Sequence, residues 1–202
     1  LDDHPAQMAA RDAIATAFGT PVAKLVAGVD ACGVPTYAFP LREIARAYAF
    51  LADPSAVPSN DPRSSIAGSL TKVRDAMLAH PEMVGGTRDR LDTSIAKALP
   101  GRIAAKGGAE GLRCFAILAG PRARGGASAA TGMALKVEDG GSADRATSAA
   151  SVEALVQAGV LEGQPLRMLS RYHVPISPDP HGREVAGAVA SFELAPIAEL
   201  AR

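Results

Sequence analysis

The 202-residue sequence contains no Trp, and aromatic side chains make up only 4% of it. Single-strand nucleic-acid binders stack bases on aromatic platforms, so this scarcity argues against that role. No charge of one sign prevails either: 21 Lys and Arg balance 21 Asp and Glu, and the formal net charge is zero. Without a basic excess there is no electrostatic footprint for a phosphate backbone, and none for an anionic membrane surface. Apolar runs fall well short of the roughly 18 residues that a membrane span requires. With only two cysteines, Cys32 and Cys114, and no CxxC pair, a disulfide scaffold is excluded. A reducing, cytoplasmic compartment is the default for such a chain. The sequence also opens at Leu1 with no initiator Met, basic n-region or apolar signal segment, so the expectation is a processed chain or part of a longer one.

What is present is the composition of a globular domain, with 48% hydrophobic and 21% charged residues. Met8, Ile14, Ala17 and Phe18 form a helical stripe over about 5–18 that ends at Gly19. Lys24 to Pro35 is an apolar stretch that stops at an acidic residue, a thiol and a Gly/Pro turn; it reads as a buried strand entering a loop. Leu41, Ile44, Ala45, Tyr48 and Leu51 repeat with helical spacing up to Asp53-Pro54. Ser64 and Ser65 are candidate caps for a helix carrying Ile66, Leu70, Val73 and Met77. A shorter helix follows through Leu91, Ile95, Ala98 and Leu99. Three strands are then predicted, at 102–106, 112–118 and 131–137, the first two joined closely enough to be antiparallel. A helix at 146–158 stops at Gly159, and the tail ends in an apolar stretch, 185–194, readable as an edge strand. The fold class is mixed α/β (α+β): helices first, then an antiparallel sheet with another helix against it.

Three local groupings carry candidate chemistry. In Asp30-Ala31-Cys32, a carboxylate and a thiol two residues apart supply donor types that zinc accepts; the plain alternative is a buried structural cysteine beside a turn-capping aspartate. In Lys106-Gly107-Gly108-Ala109-Glu110-Gly111, a lysine ends a strand and glycines let the backbone approach a ligand, as in the Lys-Thr-Gly element of penicillin-recognising enzymes. The plain alternative there is a hairpin using glycine for positive φ with a solvated lysine. Neither the Walker pattern nor the dinucleotide pattern fits these glycines. Glu138-Asp139-Gly140-Gly141 is a carboxylate pair that ordinary turn and cap chemistry also explains. The four histidines read as turn or surface residues, none with a partner at i+4. There is no Gly-x-Ser-x-Gly elbow; Ser69 and Lys72 have Ser-x-x-Lys spacing but fall on the polar side of their helix.

Six segments nonetheless occur in a telling order: Asp3-His-Pro-Ala-Gln7, Gly28-Val-Asp30-Ala-Cys32-Gly-Val-Pro35, Pro40-Leu41, His80-Pro-Glu-Met-Val-Gly-Gly86, Lys106-Gly-Gly-Ala-Glu-Gly111 and Ala134-Leu-Lys-Val-Glu-Asp-Gly140. Together they resemble the thermolabile, Rhizobium-type L-asparaginase family, also called the L-asparaginase II family. The match runs from residue 2 to about residue 160, with a weaker echo at Gly182 to Gly187. The resemblance implies hydrolysis of L-asparagine to L-aspartate and ammonia by a zinc-associated, serine-type amidohydrolase. It implies a scaffold similar to serine β-lactamases and glutaminases, incomplete at its N-terminus. Carried over by motif, Cys32 is a zinc ligand, Asp30 orients a zinc-bound water and Lys106 is the active-site amine. A lysine near a metal or another lysine has its pKa pushed down, which suits it to move a proton for a serine. Partners are then a small molecule, L-asparagine, and at most a second copy in a homodimer, with no nucleic acid and no membrane.

Two departures stand out. Ala31 replaces the family's usual Gly, and the family's nucleophilic Ser-x-x-Lys and its Ser-Gly-Lys-His segment are both missing. Residues 1–202 are therefore expected to be the C-terminal portion of one asparaginase-like catalytic domain, inactive alone because an attacking hydroxyl must lie within about 3 Å of its base. The competing expectations are a non-catalytic remnant that binds a partner or completes another chain, and an unrelated zinc module centred on Asp30 and Cys32.

Overall fold

Helical spacing becomes helix where the sequence predicts it. The computed structural model describes residues 3–121, 127–138 and 143–195. It begins with α1 (Pro5–Phe18), a ribbon of β1 (Val26–Val29) and β2 (Pro35–Ala38), and α2 (Leu41–Ala52). Next come α3 (Ala67–Ala79), α4 (Pro81–Gly85) and α5 (Leu91–Ala98). The strands β3 (Ile103–Gly107) and β4 (Leu112–Ile117) precede a small pair, β5 (Gly120–Pro121) and β6 (Ala127–Ser128), and then β7 (Thr131–Lys136). The chain continues through α6 (Ala143–Gln157), α7 (Gly163–Met168), α8 (Ser170–His173) and a second ribbon of β8 (Ile176–Pro178) and β9 (Glu184–Gly187).

The main sheet is antiparallel in the order β3-β4-β7, with Lys106 opposite Cys114 and Cys114 opposite Ala134. Strand side chains alternate between faces, and here the two faces differ in size. Ile103, Ala105, Phe115 and Ile117 enter a buried cluster with Leu91 and Ile95 of α5, Val152 and Leu155 of α6, and Leu161 and Leu169. The opposite face offers small side chains, Ala104 and Ala116 among them, packed against Leu51 and Ala52 of α2 with Tyr48, Leu70 and Met77. Small residues let α2 lie close, and Gly132 on β7 marks the contact: a Cβ there would stand 1.8 Å from the Ala45 carbonyl oxygen and 2.3 Å from the Ala49 nitrogen. Any side chain at Gly132 would push helix and sheet apart.

Four expectations change. The 24–35 stretch is not a buried strand: β1 pairs with β2 alone, all four of its residues are exposed, and Val26 and Val29 retain 65% and 71% of their surface. An apolar run fixes neither its partner nor its burial, which is why this one misleads. Ser64 and Ser65 do not cap α3. They lie in a 3-10 turn, Pro62–Ile66, which Asp61 caps through the Arg63 N–H. The C-terminal apolar stretch joins no main sheet; only Glu184–Gly187 is strand, paired with β8. His173 is no tail residue but sits on α8, where its Nε2 lies 2.8 Å from Glu153 of α6. No helix among the described residues is long and apolar enough to cross a membrane.

Candidate active site

Lys106 is the exposed penultimate residue of β3. The strand continues into a tight turn in which Leu112 N–H donates to the Ala109 carbonyl and the central pair, Glu110 and Gly111, both have positive φ. That is the turn geometry whose twist matches paired strands. Gly107 has a separate duty: a Cβ there would lie 2.4 Å from Nη1 of Arg113. The glycines after Lys106 thus serve the turn and a close approach at once.

The strand end is anchored by Asp92, in the first turn of α5. Its Oδ2 accepts the Gly107 N–H at 2.8 Å and its Oδ1 accepts Nη1 of Arg113 at 2.6 Å. Both partners are well covered, with 8% and 15% of their side-chain surface exposed. A buried pair of this kind stabilises weakly as a whole, but removing one partner strands the other charge. The carboxylate therefore fixes where the backbone after Lys106 must lie.

On the same face of the sheet as Lys106 sits Cys114, directly across the ladder. The Tyr48 hydroxyl of α2 donates to its sulfur, and burial pushes the thiol up to about 11, aided by the Asp92 charge and opposed by the Tyr48 hydrogen bond and the Lys106 ammonium. Burial chiefly, with Cys114 and Asp92 adding, also raises the Tyr48 phenol above its ordinary value. Neither group is an anion near neutral pH, so Cys114 is not a thiolate nucleophile. Lys106 itself donates to the carbonyl of Gly107.

Asp30 and Cys32 lie elsewhere, in the turn of the β1-β2 ribbon. The Asp30 carbonyl accepts the Gly33 N–H and its Oδ1 accepts the Ala31 N–H at 2.7 Å. The turn-shaping role of the aspartate is present, but Cys32 is an exposed free thiol rather than a buried structural one. Among the described residues no hydrogen bond or ion pair joins this turn to Lys106, and no three His, Cys, Asp or Glu side chains gather as a metal-binding group. Asp30 and Cys32 are two donors of the type zinc takes, half of a four-coordinate set. Asp139, Gly140 and Gly141 of the third grouping lie outside the described residues, while Glu138 is exposed. Ser69 and Lys72 are both exposed on α3, as their place on the helix predicts. Asp92, Arg113, Tyr48 and Cys114 were not singled out from the sequence as site residues. The available signal was the hairpin itself, whose register places Cys114 opposite Lys106.

Fold and residues together define a helix-flanked α/β chain in which a buried carboxylate, Asp92, holds the backbone of the strand end that carries the exposed Lys106. A family model of L-asparaginase II matches residues 1–190, and the chain belongs to that family. A search of curated proteins finds no match.

Proposed function

We propose that this chain takes part in hydrolysis of the side-chain amide of L-asparagine to L-aspartate and ammonia, with Lys106 as its catalytic amine. Family membership supplies the substrate, and the observation that carries the role is the Asp92 bond to Gly107, which fixes the strand end from which Lys106 projects. Lys106 would move the proton that an attacking hydroxyl must lose and the leaving ammonia must gain. The hydroxyl is assigned to residues outside this sequence, so residues 1–202 act as the C-terminal portion of a longer serine-type catalytic domain. Cys32 would hold zinc together with donors from that same segment, with Asp30 beside it as a further donor or as the group that orients water there, and a bound zinc would supply Lewis-acid polarisation. The solvent-facing positions of Lys106, Asp30 and Cys32 favour a site completed by further chain.

The test is ammonia release from L-asparagine by the 202-residue chain, alone and mixed with a polypeptide carrying Ser-x-x-Lys and Ser-Gly-Lys-His. The expected result is turnover only in the mixture, abolished by Lys106→Ala. Turnover by the chain alone would overturn the incompleteness, and full activity of the Lys106→Ala mixture would overturn the role of Lys106.

A further inference from the structure

On the face of the sheet that α5 and α6 cover, beside Arg113, lies a cavity of about 120 Å³ lined by Asp89, Arg90, Leu91, Arg113, Ser148 and Tyr172. Four separate parts of the chain converge there: the entry to α5, β4, α6 and α8. Drug-sized ligands occupy roughly 300 Å³ or more, so the volume suits only a small ligand.

The polar groups are arranged as donors. Arg113 commits Nη1 to Asp92, but its Nε is buried with no hydrogen-bond partner. Buried polar groups are nearly always paired, and an exception calls for an unseen ligand, water or ion. Arg90, an exposed residue at the cavity mouth, donates from Nε to the Gly85 carbonyl at 2.6 Å; its terminal nitrogens have no protein partner among the described residues and are open to a ligand from solvent. The Tyr172 hydroxyl accepts Nη2 of Arg171 at 2.7 Å and lies 3.1 Å from the Ser94 hydroxyl. Arg171 also pairs with Asp89 at 2.7 Å. No side chain caps the N-terminus of α5, where Arg90 stands in the cap position, so the positive end of the helix faces this side. Among the described residues, Asp92 pairs with Arg113 and Asp89 with Arg171, which leaves the guanidinium of Arg90 without a carboxylate partner.

We infer that this cavity is a binding site for a small oxyanion, a carboxylate or a phosphate, held between the guanidinium groups of Arg90 and Arg113. Arg113 bonds Asp92 and Asp92 bonds Gly107, so the bound anion sits three hydrogen-bonded links from the strand end that carries Lys106. The site is independent of the asparaginase reading, because binding needs no turnover.

The experiment is thermal unfolding of the 202-residue chain against rising inorganic phosphate and, separately, acetate, at constant ionic strength with chloride as the reference salt. Specific binding raises Tm with saturation. Saturation with phosphate alone identifies a tetrahedral ligand, and with acetate a carboxylate; either supports the site. Arg90→Gln, which leaves the Asp92-Arg113 pair in place, is expected to weaken binding about tenfold or more through loss of a charge-assisted hydrogen bond. Tyr172→Phe serves as a second variant should Arg90→Gln disturb the Gly85 turn, and is expected to weaken binding as well. If phosphate and acetate act no differently from chloride, or if both variants bind as the parent does, the inference is overturned.

Discussion

The sheet and the first ribbon are both antiparallel β-structure rich in small and apolar residues, yet they have opposite fates. In the sheet, Phe115, Ile117 and Ile103 are completely buried, each of the larger side chains gaining on the order of 1.5 to 3 kcal/mol from leaving water. In the ribbon, Val26 and Val29 keep most of their surface in solvent. A two-stranded hairpin is at best marginally stable in water, and three strands or a packed helix change that. The difference is therefore one of cover rather than composition: β4 has a strand on each side and helices over both faces, whereas β1 has only β2.

That contrast can be broken by substitution. Asp92→Ala should be the most damaging change, since it leaves Arg113 buried and unpaired and frees the Gly107 N–H; a loss of about 3 to 5 kcal/mol is expected in urea unfolding. A loss within experimental error would mean that the strand end is not anchored as described. Gly132→Ala should cost about 1 to 3 kcal/mol by forcing α2 off the sheet. Its counterpart in the ribbon, Gly28→Ala, meets nothing nearer than the Thr36 methyl at 4.0 Å and should change stability by less than about 0.5 kcal/mol. Equal effects at the two glycines would erase the distinction between covered and uncovered strands.

The two thiols sharpen the same comparison. Cys32 should be alkylated quickly in the native protein and Cys114 only on unfolding, which mass spectrometry of iodoacetamide-treated chain would reveal. Because the folded state holds the Cys114 proton more tightly than the unfolded state, the thiol lowers stability as pH rises from its ordinary value of 9.0 toward about 11. Below that range its contribution is constant. Cys114→Ala should flatten this part of the profile, and an unchanged slope would refute the assignment. The smallest expected effect is that of Val29→Thr, within about 0.5 kcal/mol, unless a partner covers the ribbon.

The elements that periodicity locates well are those with strong local punctuation. Helix α1 ends before Gly19, α2 stops at Asp53-Pro54, and β3 and β4 are joined by a turn whose Glu110-Gly111 pair declares itself. Lys106, Asp30 and Cys32 were legible as motif residues, and the family was legible from motif order. What the sequence hid depends on tertiary placement. Nothing local distinguishes Asp92 from any first-turn acid, yet it becomes the anchor because α5 docks beside β3. Tyr48 reads as one more residue of an apolar stripe until α2 lies over Cys114. The exposure of β1 is not legible in the sequence because a run of apolar residues records composition and not company.

The seating of α2 on Gly132 has a mechanical consequence. The ribbon bearing Asp30 and Cys32 leads directly into α2 through Phe39 and Pro40, and α2 touches the sheet by its backbone at Ala45 and Ala49. With about 1.5 Å per helical residue and about 3.3 Å per strand residue, the ribbon tip is at most roughly 35 Å from that contact, and at that reach a tilt of about 2° carries it about 1 Å. Gly132 thereby sets the seat of the helix from which the ribbon bearing the carboxylate and the thiol extends. Under the proposed function, in which Asp30, Cys32 and Lys106 serve one site, a misplacement of about 1 Å would cost about a hundredfold in rate, and that alignment would depend on the absence of a methyl group at position 132.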